Sequence, residues 1–376
     1  MLNPSVLEQT FNAAIPEALA AESIPGGVLL VGWREGKGFR EWSKAYGLKQ
    51  IEPEPLPMPL DAVFDLASVT KPVATGTSLM ILIERGDANL DDPVVKYLPC
   101  FKGEGKSEVT VRDLMSHCSG LAPSAPRPER QAIVDRYGMP CPNEIREFVC
   151  RLPLTDGPPR TRIVYSCLSA ILSAEILRAV TGKEINEFAW EHVFGPLRMG
   201  ETGFNPEANL RERAVPTTRS EWNHGEFLRG KVHDPLSSMQ GGVSGNAGLF
   251  STGQDLGRFA RMMLNEGELD GVRILQPETV RLATSEHSPP HLRNRDGEID
   301  RMGLLWRLYS PVDNEQAPVI AYGHDGYTGT SVRIYPEHGI YVIALSNRVH
   351  PNDTSTVNEF RRMLWKTIED HLGCGR

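Results

Sequence analysis

An α+β class, with an antiparallel sheet flanked by helices and a mostly helical insertion, is what three observations predict for this 376-residue chain. β patterns gather at both ends of the chain. Short helical patterns separated by Pro-rich and Gly-rich loops fill its middle. The strands at each end are joined by turns too short for parallel crossovers. A sheet built from both termini follows: residues 1–90 and 253–376 form a discontinuous sheet domain, and residues 91–252 form the insertion.

The elements are read in chain order. Leu7, Phe11, Ile15 and Leu19 recur every fourth position, predicting a helix over Val6 to Glu22. After Gly26-Gly27, the run Val28 to Trp33 reads as a strand, and Phe39 to Tyr46 as its hairpin partner across Arg34 to Gly38. The Pro-rich stretch Pro53 to Pro59 leads to Phe64-Asp65-Leu66 and a long helical pattern over Thr70 to Arg85. Within the insertion, Thr110 to Asp113 has the form of a capping box, as does Thr252 to Asp255 at its end, so these acids are read as helix caps. Leu304 to Leu308, Ile320 to His324, Ser331 to Tyr335 and Tyr341 to Ser346 read as strands, and Thr356 to His371 as a closing amphipathic helix.

Composition excludes several functions. The chain carries 40 Lys and Arg against 48 Asp and Glu, a net charge of −8, with no basic run. Nucleic acid and anionic membrane surfaces need concentrated positive charge, so neither is an expected partner. The longest apolar stretches, Gly27 to Trp33 and Ser78 to Ile83, are too short to span a bilayer. No basic region followed by an apolar core opens the chain, so no secretory leader is read and a cytoplasmic protein is expected. Six scattered cysteines with no CxxC read as reduced thiols rather than a disulfide framework.

Three segments carry chemistry. Ser68-Val69-Thr70-Lys71 opens the predicted helix, where residues three apart share a face, so the Lys71 amine can reach the Ser68 hydroxyl. A serine is a poor nucleophile until a neighbour takes its proton, and a desolvated lysine can do so. Tyr165-Ser166-Cys167 begins an apolar helical run, from which the phenol could face Ser68 and relay a proton to a leaving group. Gly323-His324-Asp325-Gly326-Tyr327-Thr328-Gly329-Thr330 lies between two predicted strands, where glycines allow close backbone approach and an N–H can complete an oxyanion hole. The competing metal reading fails: Pro289 and Pro290 between His287 and His291 prevent the helix that an HExxH site needs. No P-loop or GxGxxG is present, and no metal or cofactor is expected.

Together, in this order and spacing, the three segments resemble the penicillin-binding-protein and class C β-lactamase superfamily of serine hydrolases over nearly the whole chain. Val109 to Leu121 is similar to that family's TVRDLLTHTSGL stretch, and Phe194 to Thr202 to its PLGM…T segment. The resemblance implies the β-lactamase/DD-peptidase-like fold, an acylated Ser68, acid–base work shared by Lys71 and Tyr165, and an oxyanion hole from the Ser68 and Tyr327 N–H groups. Two positions depart from the lactamase pattern. Cys167 stands where Asn is usual, and His324-Asp325 where Lys-Thr is usual. The permanent cation that holds a substrate carboxylate is therefore missing, His324 is expected to be partly charged near neutral pH, and Asp325 to oppose a carboxylate.

Gly230 to Asp234, which contains His233, Gly241 to Thr252, the strand motif with Gly326, and Asn347 to Pro351 resemble a narrower subgroup. It includes the exo-acting N-acetylmuramoyl-L-alanine amidases and the penicillin-binding protein 4B type. A small-molecule amide or ester of muropeptide type is the substrate this implies. A family VIII-type carboxylesterase, a weak β-lactamase or DD-peptidase, and a non-catalytic penicillin-binding-like sensor are the alternatives.

Overall fold

Strand β1 (Gly26–Glu35) is buried on both faces for most of its length, which is why its sequence reads as an unbroken apolar run rather than an alternation. The fold is that of a computed structural model describing residues 24–220, 223–353 and 357–374, with residues 8, 9, 11, 12, 15 and 19. Most of the helix expected over Val6 to Glu22 lies outside the described residues, and those described within it are helical.

β1 pairs with β2 (Gly38–Gln50) across the predicted hairpin, and β3 (Leu56–Pro57) extends that edge. Two minor sheets follow in chain order: β4 (Phe64–Asp65), β5 (Gly203–Phe204) and β6 (Leu249–Ser251) in one, and β7 (Glu268–Leu269) with β8 (Val272–Arg273) in the other. The C-terminal part supplies β9 (Arg301–Met302), β10 (Arg307–Tyr309), β11 (Ala321–Asp325), β12 (Ser331–Tyr335) and β13 (Ile340–Ser346). The main sheet has eight strands in the order β3-β2-β1-β13-β12-β11-β10-β9, and every pairing is antiparallel. The expected class and the two-ended sheet are thus what the chain forms. Of the strand read over Leu304 to Leu308 only Arg307 and Leu308 are extended, at the start of β10, because Leu305 takes a left-handed φ of 61° and turns the chain between β9 and β10.

Each face of the sheet buries a separate apolar layer. Leu29, Val31 and Val342 face one way, against Phe11, Phe360, Leu364 and Ile368 of the terminal helices. Val28, Leu30 and Ile343 face the other way, in a core continuous with Leu79, Phe259, Leu172 and Ile176 of the intervening helices. The alternation along β1 is the strand period of two, doubled into two cores. The closing helix, Val357–Leu372, is where the amphipathic pattern put it.

The capping boxes divide. Thr110 and Asp113 bond reciprocally, as the spacing predicts. Thr252 accepts from the Asp255 N–H, but the Asp255 carboxylate turns to the Glu201 N–H and the Thr202 hydroxyl, tying two distant segments together.

One expectation fails outright. Cys100 and Cys150 form a disulfide, their Cα atoms 5.9 Å apart. The end of the helix Pro142–Arg151 returns to the loop after Leu98, a proximity that a 50-residue separation in sequence does not reveal. The remaining described cysteines are free. Closing that loop restricts the unfolded chain, so Cys100→Ala is expected to lower unfolding free energy by about 2–4 kcal/mol in urea titrations. An unchanged midpoint under non-reducing conditions would contradict this.

Candidate active site

Ser68 is presented by a short, tightly held segment. Ala67, immediately before it, has a left-handed φ of 46°, a conformation costing about 1–3 kcal/mol for a non-glycine residue. Buried Asp65 holds it there, accepting the Ala67 N–H at 2.9 Å on one oxygen and the His233 N–H at 2.7 Å on the other. Ser68 then lies in a single 3-10 turn, Ala67–Val69, not at the start of a regular α-helix. A widened π-type stretch, Lys71–Gly76, follows before the α-helix Thr77–Arg85. Pro72 has no N–H to give, and the Thr77 hydroxyl donates to the Pro72 carbonyl at 2.9 Å within this wider turn. The helix-face argument for Ser68 and Lys71 therefore gives way to a locally remodelled turn, yet the predicted contact is made: Lys71 Nζ donates to Ser68 Oγ at 2.8 Å.

Lys71 is completely buried. Its Nζ also donates to the Asn246 carbonyl at 3.0 Å, lies 3.7 Å from Cys167 Sγ, and sits 4.8 Å from the centre of the Tyr165 ring. Among the described residues no carboxylate comes within ion-pair distance of it. Burial acts to lower the ammonium's pKa and the Asp234 charge acts to raise it; the net direction is upward. The Gly245-Asn246 segment closes over the lysine through the Asn246 carbonyl. The Asn246 side chain bonds Ser244 and Asp234, aiming its carbonyl at the lysine. Gly245 lets that loop press onto the helix behind, since a Cβ there would lie 2.2 Å from the Ala170 carbonyl.

Tyr165 precedes the helix Cys167–Thr181, which Ser166 caps through the Ser169 N–H. The Ser166 hydroxyl also donates to the Ala122 carbonyl at 2.6 Å, fixing the entry of the chain. The Tyr165 hydroxyl is buried within electrostatic reach of both Ser68 and Lys71. Burial raises its pKa, with the Lys71 charge opposing, so the phenol is neutral at rest. Burial likewise raises the Cys167 thiol, which is neutral.

The glycine-bearing turn reaches the nucleophile from the other side. The Thr328 hydroxyl donates to the Asp65 carbonyl at 2.7 Å and the Thr330 hydroxyl to the Leu66 carbonyl at 2.9 Å. Gly326 is required by this approach: a Cβ there would lie 2.5 Å from the Leu66 carbonyl oxygen. Neither the Ser68 N–H nor the Tyr327 N–H has a protein acceptor among the described residues, so both donors are available to a ligand. Exposed Tyr327 stacks on His233 with ring centres 5.6 Å apart, forming an aromatic shelf beside these donors.

Two expectations about charge are corrected. His324 is 2% exposed, and burial, reinforced by Lys71 and Arg307, lowers its pKa to about 3. It is neutral. Its Nδ1 bonds the Asp325 carbonyl at 2.9 Å, which leaves Nε2 as an acceptor. Asp325 does not oppose a ligand from within the site, because its carboxylate accepts from Ser331 at 2.6 Å and lies 3.6 Å from Arg361. A cation from another strand lies beside the phenol. Arg307 of β10 holds its guanidinium carbon 5.0 Å from the centre of the Tyr165 ring. Sequence reading missed it because nothing marks one arginine among many until β10 is laid beside β11.

His117, within the Val109 to Leu121 stretch, is buried with a φ of 58°, and its ring centre is 4.8 Å from that of Tyr165. Its Nδ1 accepts the Ser166 N–H at 3.2 Å. Burial, with Lys71 adding, pushes its pKa well down. Two neutral buried histidines make stability depend on pH. The unfolded chain protonates them below about pH 6.5, whereas the folded chain does not. Unfolding free energy should therefore fall on acidification, by about 1.4 kcal/mol per pH unit for each histidine once below that value. For His324 the window extends down to about pH 3. Urea unfolding of the wild type and His324→Asn at pH 4.5 and 7 checks this, and a difference that does not change with pH would refute the neutral assignment.

His287 is occupied by Arg112 at 2.9 Å and the Leu282 carbonyl at 2.8 Å, and no cluster of metal-ligating side chains occurs among the described residues. No described helix is long and apolar enough to cross a membrane.

The chain is similar in sequence and fold to known proteins. The family model described as Beta-lactamase matches residues 11–364. The chain belongs to the Beta-lactamase family. An N-acetylmuramyl-L-alanine amidase of Bacillus subtilis (strain 168) is 30% identical over 357 residues, covering 88% of this chain and 78% of that protein. A putative D-alanyl-D-alanine carboxypeptidase of Escherichia coli (strain K12) is 29% identical over 337 residues, covering 82% of this chain and 74% of that one. The solved structure of EstCE1, a hydrolase with promiscuous acyltransferase activity, superimposes with a TM-score of 0.75 at 20% identity, covering 96% of this chain and 99% of that one. Membership in the Beta-lactamase family makes hydrolase chemistry of this superfamily type the frame for the site.

Proposed function

We propose that this Beta-lactamase family member is a metal-independent serine hydrolase that works through an acyl-enzyme on an amide or ester, with a muropeptide-type amide as the leading substrate. The observation carrying this reading is the 2.8 Å contact between Lys71 Nζ and Ser68 Oγ, facing two unengaged backbone N–H groups. Ser68 Oγ attacks the carbonyl carbon as its proton passes to the Lys71–Tyr165 pair. The pair accepts it in the form in which Lys71 has already given one proton to solvent, leaving its amine free. The N–H groups of Ser68 and Tyr327 stabilise the oxyanion. The bond to the leaving nitrogen or oxygen breaks as Tyr165 returns a proton to it. Water then attacks the acyl carbon, the Ser68 ester bond breaks, and the hydroxyl regains its proton.

The muropeptide assignment draws on the amidase among the relatives and on the His233–Tyr327 shelf, a flat surface suited to a sugar or acyl face. A fluorophosphonate probe tests the mechanism: a mass increase on the Ser68 peptide, competed by substrate, is expected. Labelling absent from Ser68 while turnover continues would refute it. Parallel rates on muramoyl-peptides and short-chain p-nitrophenyl esters separate the amidase from the carboxylesterase.

A further inference from the structure

We propose that Asp65 is the positioning residue of the acylation step: by fixing the backbone at Ala67, its carboxylate aims the Ser68 N–H at the developing oxyanion and so governs rate rather than binding. The proposal rests on the acyl-enzyme reading and deepens it. The Ser68 N–H belongs to the rigid peptide plane that follows Ala67, so the dihedrals of Ala67 set its direction. Ala67 holds a φ of 46°, which a residue with a Cβ abandons unless its surroundings enforce it. The bond from the Ala67 N–H to Asp65 Oδ1, at 2.9 Å, closes the local turn that enforces it.

The same residue reaches the other half of the oxyanion hole. Its second carboxylate oxygen accepts the His233 N–H at 2.7 Å, which fixes the loop whose ring stacks on Tyr327. Its own carbonyl accepts the Thr328 hydroxyl at 2.7 Å, which ties in the turn that carries the Tyr327 N–H. Both oxyanion donors are therefore registered against Asp65. The residue is itself immobilised: β4 pairs Asp65 with Phe250, and the next N–H, of Leu66, donates to the Leu249 carbonyl at 2.9 Å. Ala67 faces the oxyanion turn, its Cβ 3.4 Å from where a Cβ on residue 326 would lie. Asp65 is 3% exposed, and a carboxylate so deeply buried is costly unless hydrogen bonds replace its lost hydration. Here those bonds come from two backbone amides beside the nucleophile. Relaxation of φ at Ala67 would misalign the Ser68 and Tyr327 donors without removing any group that a bound substrate touches.

The test is the rate at which a fluorophosphonate labels Ser68, read by mass, which requires no particular substrate. Saturation kinetics separate the maximal labelling rate from the half-saturating concentration, and the final label per chain counts the folded sites. Asp65→Asn keeps the shape but sets an amide NH2 where one N–H needs an acceptor. It should slow the maximal rate roughly 10- to 100-fold, with the half-saturating concentration changed by less than about threefold. Glycine adopts a positive φ without strain, so in an Ala67→Gly background the same exchange should slow labelling by less than about threefold. A residue that only held the fold would change the labelled fraction and the melting temperature, not the rate per labelled site. Asp65→Ser, whose hydroxyl can accept the Ala67 N–H in a weaker version of the turn, repeats the comparison if the amide variant does not fold. Equal slowing in both backgrounds, or a wild-type rate in Asp65→Asn, overturns the role of Asp65 and leaves the hydrolase reading intact. If wild-type Ser68 takes no label, the hydrolase reading falls and the role of Asp65 with it.

Discussion

Ser68→Ala should reduce turnover by roughly 10⁴-fold or more and abolish phosphonate labelling, because residues acting as one catalytic unit fail together when the nucleophile is lost. The exchange removes the hydroxyl that Lys71 bonds, and the backbone N–H of residue 68 survives it. Substrate affinity should therefore persist. A variant retaining more than a hundredth of wild-type kcat would show that Ser68 is not the acylated group.

Lys71→Met should produce opposite effects on activity and stability. Removing a general base typically costs ~10²–10⁴ in rate, and here the amine is bonded directly to Ser68 Oγ. The same ammonium is buried on a hydroxyl, a carbonyl and a thiol, with no carboxylate in contact among the described residues. An ion in that setting forfeits hydration that its partners only partly replace, so an apolar side chain of similar length should raise the melting temperature. The Asn246 carbonyl loses a donor, which limits the gain. Falling activity with rising Tm in one variant marks a group retained for chemistry. A lower Tm would indicate that Lys71 chiefly holds the loop at Asn246.

Much of this arrangement was legible in one dimension. The two-ended antiparallel sheet followed from β patterns at both termini, since strand period and turn length are local properties. The pairing of Ser68 with Lys71 followed from a spacing of three, and it survived although the surrounding turn is π-like rather than α-helical. Tyr165 lay where its motif put it, beside Lys71. Cys167 and Gly326 also line the site, and each sits beside a partner that accounts for it.

Other features depend on which segments meet. Cys100 and Cys150 pair because a helix end returns to a distant loop. Thr252 to Asp255 looked like a local cap, yet its carboxylate serves Glu201 and Thr202. His324 kept its letter and lost its charge, because burial beside Lys71 and Arg307 is a property of the fold.

By itself, the sequence determined the α+β class, the antiparallel sheet from both ends and the Ser68–Lys71 contact, because these rest on periodicity, turn length or local spacing, whereas Tyr165 joins them through the resemblance of the three motifs taken together. The tertiary structure alone decided the site's electrostatics. It made His324 neutral, turned Asp325 toward Arg361, supplied Arg307 as the cation against Tyr165 and closed the disulfide. The reason is physical: charge state and pairing are set by desolvation and by neighbours brought from elsewhere in the chain, and neither is encoded in the spacing of the residues concerned.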